Sequence, residues 1–87
     1  MAQQHPNLEL SIIVVNWNTK DLVSQCLRTI LESDLQRAFE IMVVDNGSTD
    51  GSVPHIRNSF PQVVLIENRE NLGFAKANNL GMRRARG

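Results

Sequence analysis

The sequence predicts an α/β fold: a β-α-β-α-β-α chain whose three parallel strands lie in the order 3-2-1. Three observations carry this. Short, β-branched apolar runs stand at residues 10–15, 40–44 and 63–66. They are too continuously apolar to leave one face in water, as in parallel strands covered on both sides. Segments of helical periodicity with capping chemistry separate them. Each run ends in a polar loop, and the second ends in Asp45-Asn46-Gly47, at the strand edge where open α/β sheets bind ligands.

In chain order, residues 1–9 read as a flexible polar leader in which Pro6 and Asn7 oppose regular structure. The first strand follows at 10–15. Asn18 and Thr19 are N-cap candidates for the first helix, and Asp21 in its first turn favours the dipole. Leu22, Val23, Cys26, Leu27, Ile30 and Leu31 recur at helical spacing and form its apolar face. The helix is expected to stop near Ser33 and Asp34, and a connection leads to the second strand. Gly47-Ser48-Thr49-Asp50 is turn and cap chemistry. It opens a short helix over 51–59, with Pro54 in the first turn, where a missing amide hydrogen costs little. Pro61 is its stop.

The third strand at 63–66 and a polar loop at 67–72 lead to a third helix over 74–86, marked by Phe74, Ala77, Leu80, Gly81 and Ala85. Glycine in mid-helix costs roughly 1 kcal/mol relative to alanine. Close packing of Gly81 on the sheet is therefore expected. Crossovers between parallel strands are right-handed.

Eighty-seven residues make one small domain with a limited core. The formal net charge is zero, which argues against a dedicated nucleic-acid binder, for which a basic surplus is expected. The basic cluster Arg83, Arg84 and Arg86 complements a helix C-terminus. A single cysteine, Cys26, excludes an internal disulfide and suits a reducing cytosol. Its place in the apolar stripe predicts a buried structural thiol rather than a nucleophile. No run is long enough to span a bilayer and no signal peptide is visible, so a cytoplasmic protein without a transmembrane segment is expected. His5 and His55 have no ligand spacing around them, and no metal-binding cluster is predicted. Gly-x-Gly-x-x-Gly, Gly-x-x-x-x-Gly-Lys-Ser/Thr and Gly-x-Ser-x-Gly are all absent. Dinucleotide-binding, P-loop and α/β-hydrolase chemistry are disfavoured accordingly.

The topology brings three polar segments to one sheet edge: Asn16-Trp17-Asn18, Asp45-Asn46-Gly47 and the loop at 68–73. Each has two readings. Asn16 and Asn18 turn the chain and cap a helix, or face a ligand. Trp17 either closes the core or, if exposed, offers a flat surface for stacking a base. Asp45 either satisfies loop amides or accepts hydrogen bonds from a base or ribose, with Asn46 able to donate and accept. Lys76 is a solvated lysine or neutralises a diphosphate at the first turn of the third helix, whose amides favour anions.

Three segments, at 11–18, 43–52 and 71–81, resemble the family 2 glycosyltransferases in order and spacing. They read Ser-Ile-Ile-Val-Val-Asn-Trp-Asn, Val-Val-Asp-Asn-Gly-Ser-Thr-Asp-Gly-Ser and Asn-Leu-Gly-Phe-Ala-Lys-Ala-Asn-Asn-Leu-Gly. The likeness is greatest to rhamnosyltransferase-like members of bacterial cell-surface polysaccharide synthesis. It implies a GT-A, Rossmann-like fold and an inverting transfer of sugar from a nucleotide-diphosphate donor, UDP- or dTDP-linked, to a glycan or lipid-linked acceptor. It further implies that Val15, Trp17 and Asn18 contact base and ribose, and that Asp45 and Asn46 hydrogen-bond the base. Asn71, Gly73 and Lys76 would approach the nucleotide.

Many relatives carry a second acidic residue where Asn46 stands. The family's Asp-x-Asp motif, which ligates Mg²⁺ or Mn²⁺, does not occur in these 87 residues, and no catalytic base is identified. The resemblance therefore implies a truncated GT-A nucleotide-binding half-domain over 10–87 that is inactive alone and binds no metal. It would lie in the cytoplasm or at the inner face of the membrane. An unpaired first-strand edge would favour association. The alternative is a non-catalytic nucleotide-binding or partner-binding module. A nucleotidyltransferase is disfavoured because Asn16-Trp17-Asn18-Thr19 replaces its glycine-rich basic loop.

Overall fold

A computed structural model describes residues 8–33 and 38–87. The leader expected at 1–9 lies, apart from Leu8 and Glu9, outside them, as does Asp34. The elements are β1 (Leu10–Asn16), α1 (Lys20–Glu32), β2 (Phe39–Asp45), α2 (Ser52–Ser59), β3 (Val64–Glu67) and α3 (Phe74–Arg84). The strands are parallel and neighbour one another as β1-β2-β3, the expected order seen from the opposite edge. Type and sequence of all six elements follow the amino-acid pattern. β1 runs one residue further than expected, to Asn16, and β2 gains one at each end, Phe39 and Asp45; β3 is shifted by one, to Val64–Glu67, α2 starts one later, at Ser52, and α3 ends two sooner, at Arg84.

The central strand explains the layering. Ile41 and Val43 pack with Val23 and Leu27 of α1 and Ile56 of α2, together with Phe60. The alternate residues Met42 and Val44 pack on the other face with Ile66 and with Ala77 of α3. Side chains alternate along a strand, so an unbroken apolar β2 supplies both halves of the core. Full burial of a side chain such as Leu27 (0% exposed) contributes about 1.5–3 kcal/mol.

The apolar face of α1 is narrower than its sequence suggests. Val23 and Leu27 are buried, but Leu22 and Cys26 are exposed, contrary to the expected buried thiol. These two stand one residue, about 100°, around the helix from the buried row, and a helix resting on a sheet covers only one such row fully. Gly81 behaves as expected. A β-carbon there would lie 2.7 Å from Cγ2 of Ile13 and 3.1 Å from Cγ2 of Val44, so the missing side chain lets α3 approach the sheet.

At the opposite edge from the polar loops, Glu40 ties three segments together. Its Oε2 accepts hydrogen bonds from the Ser11 hydroxyl and from the Arg86 amide, both at 2.6 Å. The Gly87 amide donates to Ser11 Oγ at 2.7 Å, and Arg86 Nε stands 3.8 Å from Oε1. Burial opposes the charge on Glu40. The Ser11 hydroxyl, the Arg86 amide and guanidinium and the Gly87 amide outweigh it and hold the carboxyl below its ordinary range.

Two outcomes follow from this packing. Gly81→Ala should destabilise the fold by about 1–3 kcal/mol through overpacking, although an exposed helix site would gain roughly 1 kcal/mol from the same change. A raised midpoint in urea unfolding would contradict the close approach. Because the folded-state pKa of Glu40 is depressed, its contribution is present above the ordinary glutamate range and is lost as pH falls through the folded value. Glu40→Gln should therefore cost about 1–2 kcal/mol at pH 7 and converge on the wild type at a pH well below the ordinary glutamate range. Equal differences at both pH values would rule out the charge as the cause.

Candidate functional site

Parallel register sets the site. Asn16 stands opposite Asp45, and Asp45 opposite Glu67, so the three strands finish in one row. The ladder continues for one more step, with the Asn46 amide donating to the Asn16 carbonyl and the Asn68 amide to the Asp45 carbonyl, each at 2.8 Å. The loops that leave this row are the three polar segments singled out in the sequence.

Asp45 is 1% exposed, and burial of a carboxylate demands donors. Asn16 Nδ2 supplies one to Oδ1 at 2.7 Å. The Ser48 hydroxyl supplies a second to the same oxygen at 2.7 Å, and the Ser48 amide a third to Oδ2 at 2.8 Å. Asn16 is itself buried, and its Oδ1 accepts from the Thr19 hydroxyl at 2.6 Å. The chain turns between Asp45 and Ser48 through Gly47, whose φ of +83° is cheap only for glycine. A β-carbon at Gly47 would also come within 3.0 Å of Glu70 Cα.

Asn46, 2% exposed, fastens the third loop to the second. Its Oδ1 accepts from Asn68 Nδ2 at 3.0 Å and from the Leu72 amide at 3.4 Å, and its Nδ2 donates to the Gly73 carbonyl at 3.3 Å. Asn71 closes the same loop by accepting the Gly73 amide at 2.7 Å.

The first and second loops are joined by a further clasp. Asn18, a non-glycine residue at φ +52°, accepts the Thr49 amide at 2.7 Å, and its own amide donates to Ser48 Oγ at 2.9 Å. Neither Asn18 nor Thr19 caps α1 with its side chain, against expectation. Asn18 is used by the second loop and Thr19 by Asn16. The α1 terminus is instead met by Asp50, whose Oδ2 accepts the Lys20 amide at 3.0 Å. The other oxygen of Asp50 accepts the Ser52 amide at 3.0 Å and the Ser52 hydroxyl. The Ser52 hydroxyl, against a desolvation cost, and the Lys20 and Ser52 amides hold the Asp50 carboxyl below its ordinary range. Sequence reading missed this role for Asp50, because the residue caps a helix thirty positions away. Only its position after Gly-Ser-Thr marked it as cap chemistry.

The expected site residues therefore separate into two sets. Asp45 and Asn46 are buried and hydrogen-bonded to the protein, and Val15 is half-buried against the core on the α3 face. Trp17 is 51% exposed, so it is not a core tryptophan. Asn18, Asn71, Gly73 and Lys76 are exposed too. No side chain caps α3, and Gly73 to Lys76 at its start are all exposed, an arrangement suited to an anion. An open depression of about 430 Å³ lies beside α1, between Asn18, Asp21 and Asp50; among the expected site residues it includes Asn18 alone.

No group of three His, Cys, Asp or Glu side chains positioned for a metal occurs among the described residues. Asp45 and Asp50 have both oxygens engaged by protein donors. These carboxylates do not fit a divalent cation. No helix among the described residues is long and apolar enough to cross a membrane.

Comparison with known proteins gives consistent results. Residues 11–87 match the family model for glycosyl transferase family 2. The chain is 30% identical over 83 residues to the glycosyltransferase YfnE of Bacillus subtilis, covering 92% of this chain and 21% of that protein. It is 31% identical over 70 residues to the poly(ribitol-phosphate) beta-glucosyltransferase of Bacillus spizizenii, covering 76% and 11%. Among solved structures, the mannosyltransferase PcManGT of Pyrobaculum calidifontis, in complex with GDP-Man and Mn²⁺, superposes with a TM-score of 0.79 at 32% identity. That match covers 92% of this chain and 25% of the other. The chain thus spans a quarter or less of each of these relatives.

The network predicts a specific sensitivity. Asp45→Asn is nearly isosteric but turns an NH₂ group toward donors from Asn16 or Ser48. It should cost at least about 1–3 kcal/mol, the penalty for a buried unsatisfied group. Chemical denaturation measures this, and wild-type stability in the variant would show that the donors have other partners.

Proposed function

The chain belongs to glycosyl transferase family 2, and from that premise we propose that its sheet edge holds the nucleotide of a nucleotide-diphosphate sugar. The observation that carries this reading is the shared row of strand ends, which sets the exposed ring of Trp17 and the uncapped first turn of α3 on the same edge. Trp17 offers its face to the base, and Asn18 lies beside it for base or ribose. Asn71, Gly73 and Lys76 meet the phosphates, with the helix amides and the ammonium acting on the same charge. Asp45 and Asn46 serve this site from below, by fixing the loops and presenting the base pocket floor, and Val15 supports them from the core.

The finer reading is transfer of the donor sugar to a glycan or lipid-linked acceptor in cell-surface polysaccharide synthesis, at the cytoplasmic face of the membrane. A UDP- or dTDP-linked donor, with rhamnose as its sugar, rests on the resemblance of the three motifs. The GDP-Man bound by PcManGT makes GDP the competitor to include. Sugar transfer needs charge stabilisation on the leaving diphosphate, which a divalent cation supplies in the complete enzyme, and a base for the acceptor hydroxyl. Asp45 and Asp50 provide neither, being occupied with protein donors. The 87 residues act as the donor-binding part, and we expect no sugar transfer from them alone.

A second reading, a partner-binding module, is favoured by one feature. Among the described residues β1 pairs only with β2, and beside its open edge Leu10 and Met82 are exposed around a shallow cavity of about 390 Å³.

Trp17 is the only tryptophan, so its emission reports directly on the site. Titration with UDP, dTDP and GDP, with and without Mn²⁺, should give saturable, metal-independent quenching by at least one of them. Trp17→Leu should remove binding measured by calorimetry. Lys76→Ala should weaken the diphosphate about tenfold, or roughly 1.4 kcal/mol, while leaving the matching nucleoside unaffected. No binding of any of the three nucleotides, together with concentration-dependent dimerisation, would replace the donor reading with the partner-binding one.

A further inference from the structure

We propose that Asp50 is a positioning residue for ligand recognition: from the β2–α2 loop, its carboxylate fixes the β1–α1 loop that presents Trp17. The proposal rests on the donor-site reading above, and it concerns a residue that does not itself face the nucleotide.

The geometry of the first loop is the ground for it. Trp17 is held between two anchors. Upstream, Asn16 is buried and bound to Asp45 and Ser48. Downstream, the loop must turn through Asn18 at φ +52°, a conformation uncommon for a residue other than glycine, before α1 begins at Lys20. Within the first loop a single side-chain contact spans that turn, the Thr19 hydroxyl on Asn16 Oδ1, and it leaves the start of α1 without a side-chain cap of its own. The second loop secures it, through the Thr49 amide on Asn18 Oδ1, Ser48 Oγ on the Asn18 amide and Asp50 Oδ2 on the Lys20 amide. Of these three, the Asp50 contact is the one that carries charge, and a carboxylate at a helix N-terminus also gains from the dipole.

Both oxygens of Asp50 are in use, one on each helix. Oδ2 serves α1 through Lys20, and Oδ1 serves α2 through the amide and hydroxyl of Ser52. The start of α1 is thereby set relative to the start of α2, and Trp17 lies on the segment between the two anchors. An amide has one acceptor oxygen. Asp50→Asn can satisfy Ser52 or Lys20 but not both, and Ser52 offers two donors. This substitution should retain α2 and release α1.

The test uses Asp50→Asn, with Lys20→Pro as its counterpart from the donor side. Proline is tolerated at the first helical position, removes the amide hydrogen that Asp50 accepts, and leaves the carboxylate and its hold on Ser52. Ser52→Ala, which touches only the α2 side, is the control for a general loss of stability. Two readouts are taken: acrylamide quenching of Trp17 without ligand, and affinity for the nucleotide diphosphate that binds the wild type best.

Asp50→Asn and Lys20→Pro should both alter the quenching of Trp17 and weaken nucleotide binding about fivefold or more, close to 1 kcal/mol. Ser52→Ala should change neither. Lowered thermal stability with wild-type quenching and affinity in both variants would overturn the proposal and reduce Asp50 to a helix cap. If Asp50→Asn does not fold, Lys20→Pro decides alone. If the wild type binds no nucleotide diphosphate, the donor reading fails, and the quenching comparison by itself supports or overturns the positioning role.

Discussion

A carboxylate shut away from water must be met by donors, and most of what distinguishes this molecule at its polar edge follows from how Asp45 is met. Its side chain leaves the end of the central strand, where both faces are already closed by apolar side chains. Solvent cannot satisfy it there. The donors come from the neighbouring strand end, Asn16, and from the turn that follows, Ser48. Each donor has a geometric consequence. The Asn16 contact fixes the register in which β1 finishes against β2, and the Ser48 contacts bend the chain back over the strand through Gly47. A buried polar network of this kind is costly if incomplete and specifying if complete. Among the described residues no buried side-chain nitrogen or oxygen lacks a partner.

From that centre the hydrogen bonds run outward on two sides. Asn46 extends them to the third loop through Asn68, Leu72 and Gly73. Ser48, Thr49 and Asp50 extend them to the first loop and to the start of α1. The second loop is therefore the frame, and the first and third loops hang from it on either side. Its composition, rich in small oxygen-bearing residues and glycine, suits this work. Ser, Thr, Asn and Asp reach backbone amides at short range, and glycine admits the left-handed turns at Gly47 and Gly51.

Much of this was legible in the sequence, for a physical reason. Strands covered on both faces leave short continuous apolar runs and helices leave a 3.6-residue pattern, so strands and helices could be told apart and their order predicted. Gly81 signalled its packing because a mid-helix glycine needs a compensating contact, and Ile13 and Val44 provide it. The three polar loops were legible as a group, since parallel strands joined by helices must end on one edge. What escaped was anything that depends on a partner distant in the chain. Asn18 and Thr19 have the right chemistry to cap α1, but the same atoms are claimed by Thr49 and Asn16. Cys26 and Leu22 have the right spacing for the core, but the sheet covers only the adjacent row. Local pattern specifies what a residue can do, and competition in three dimensions selects among those roles.

That competition also divides the motif residues by task. Where the sequence offers Asp45, Asn46, Trp17, Asn18, Asn71 and Lys76 as equal candidates for ligand contact, the structure commits the first two to the protein and leaves Trp17 and Lys76 without a structural task. A ring and an ammonium exposed on the same edge as free helix amides are hard to explain by folding. Exposure of a tryptophan face sacrifices burial worth a few kcal/mol, and a helix opened by Gly73 in place of a capping side chain forgoes about a few tenths of a kcal/mol. The buried amides and carboxylates below them make the opposite bargain, contributing rigidity and no accessible surface. Recognition at such an edge depends on both sets, because a ligand gains affinity from groups already held in place. The loops that look most like binding motifs in the sequence are thus two layers, an inner one that builds the edge and an outer one left exposed on it.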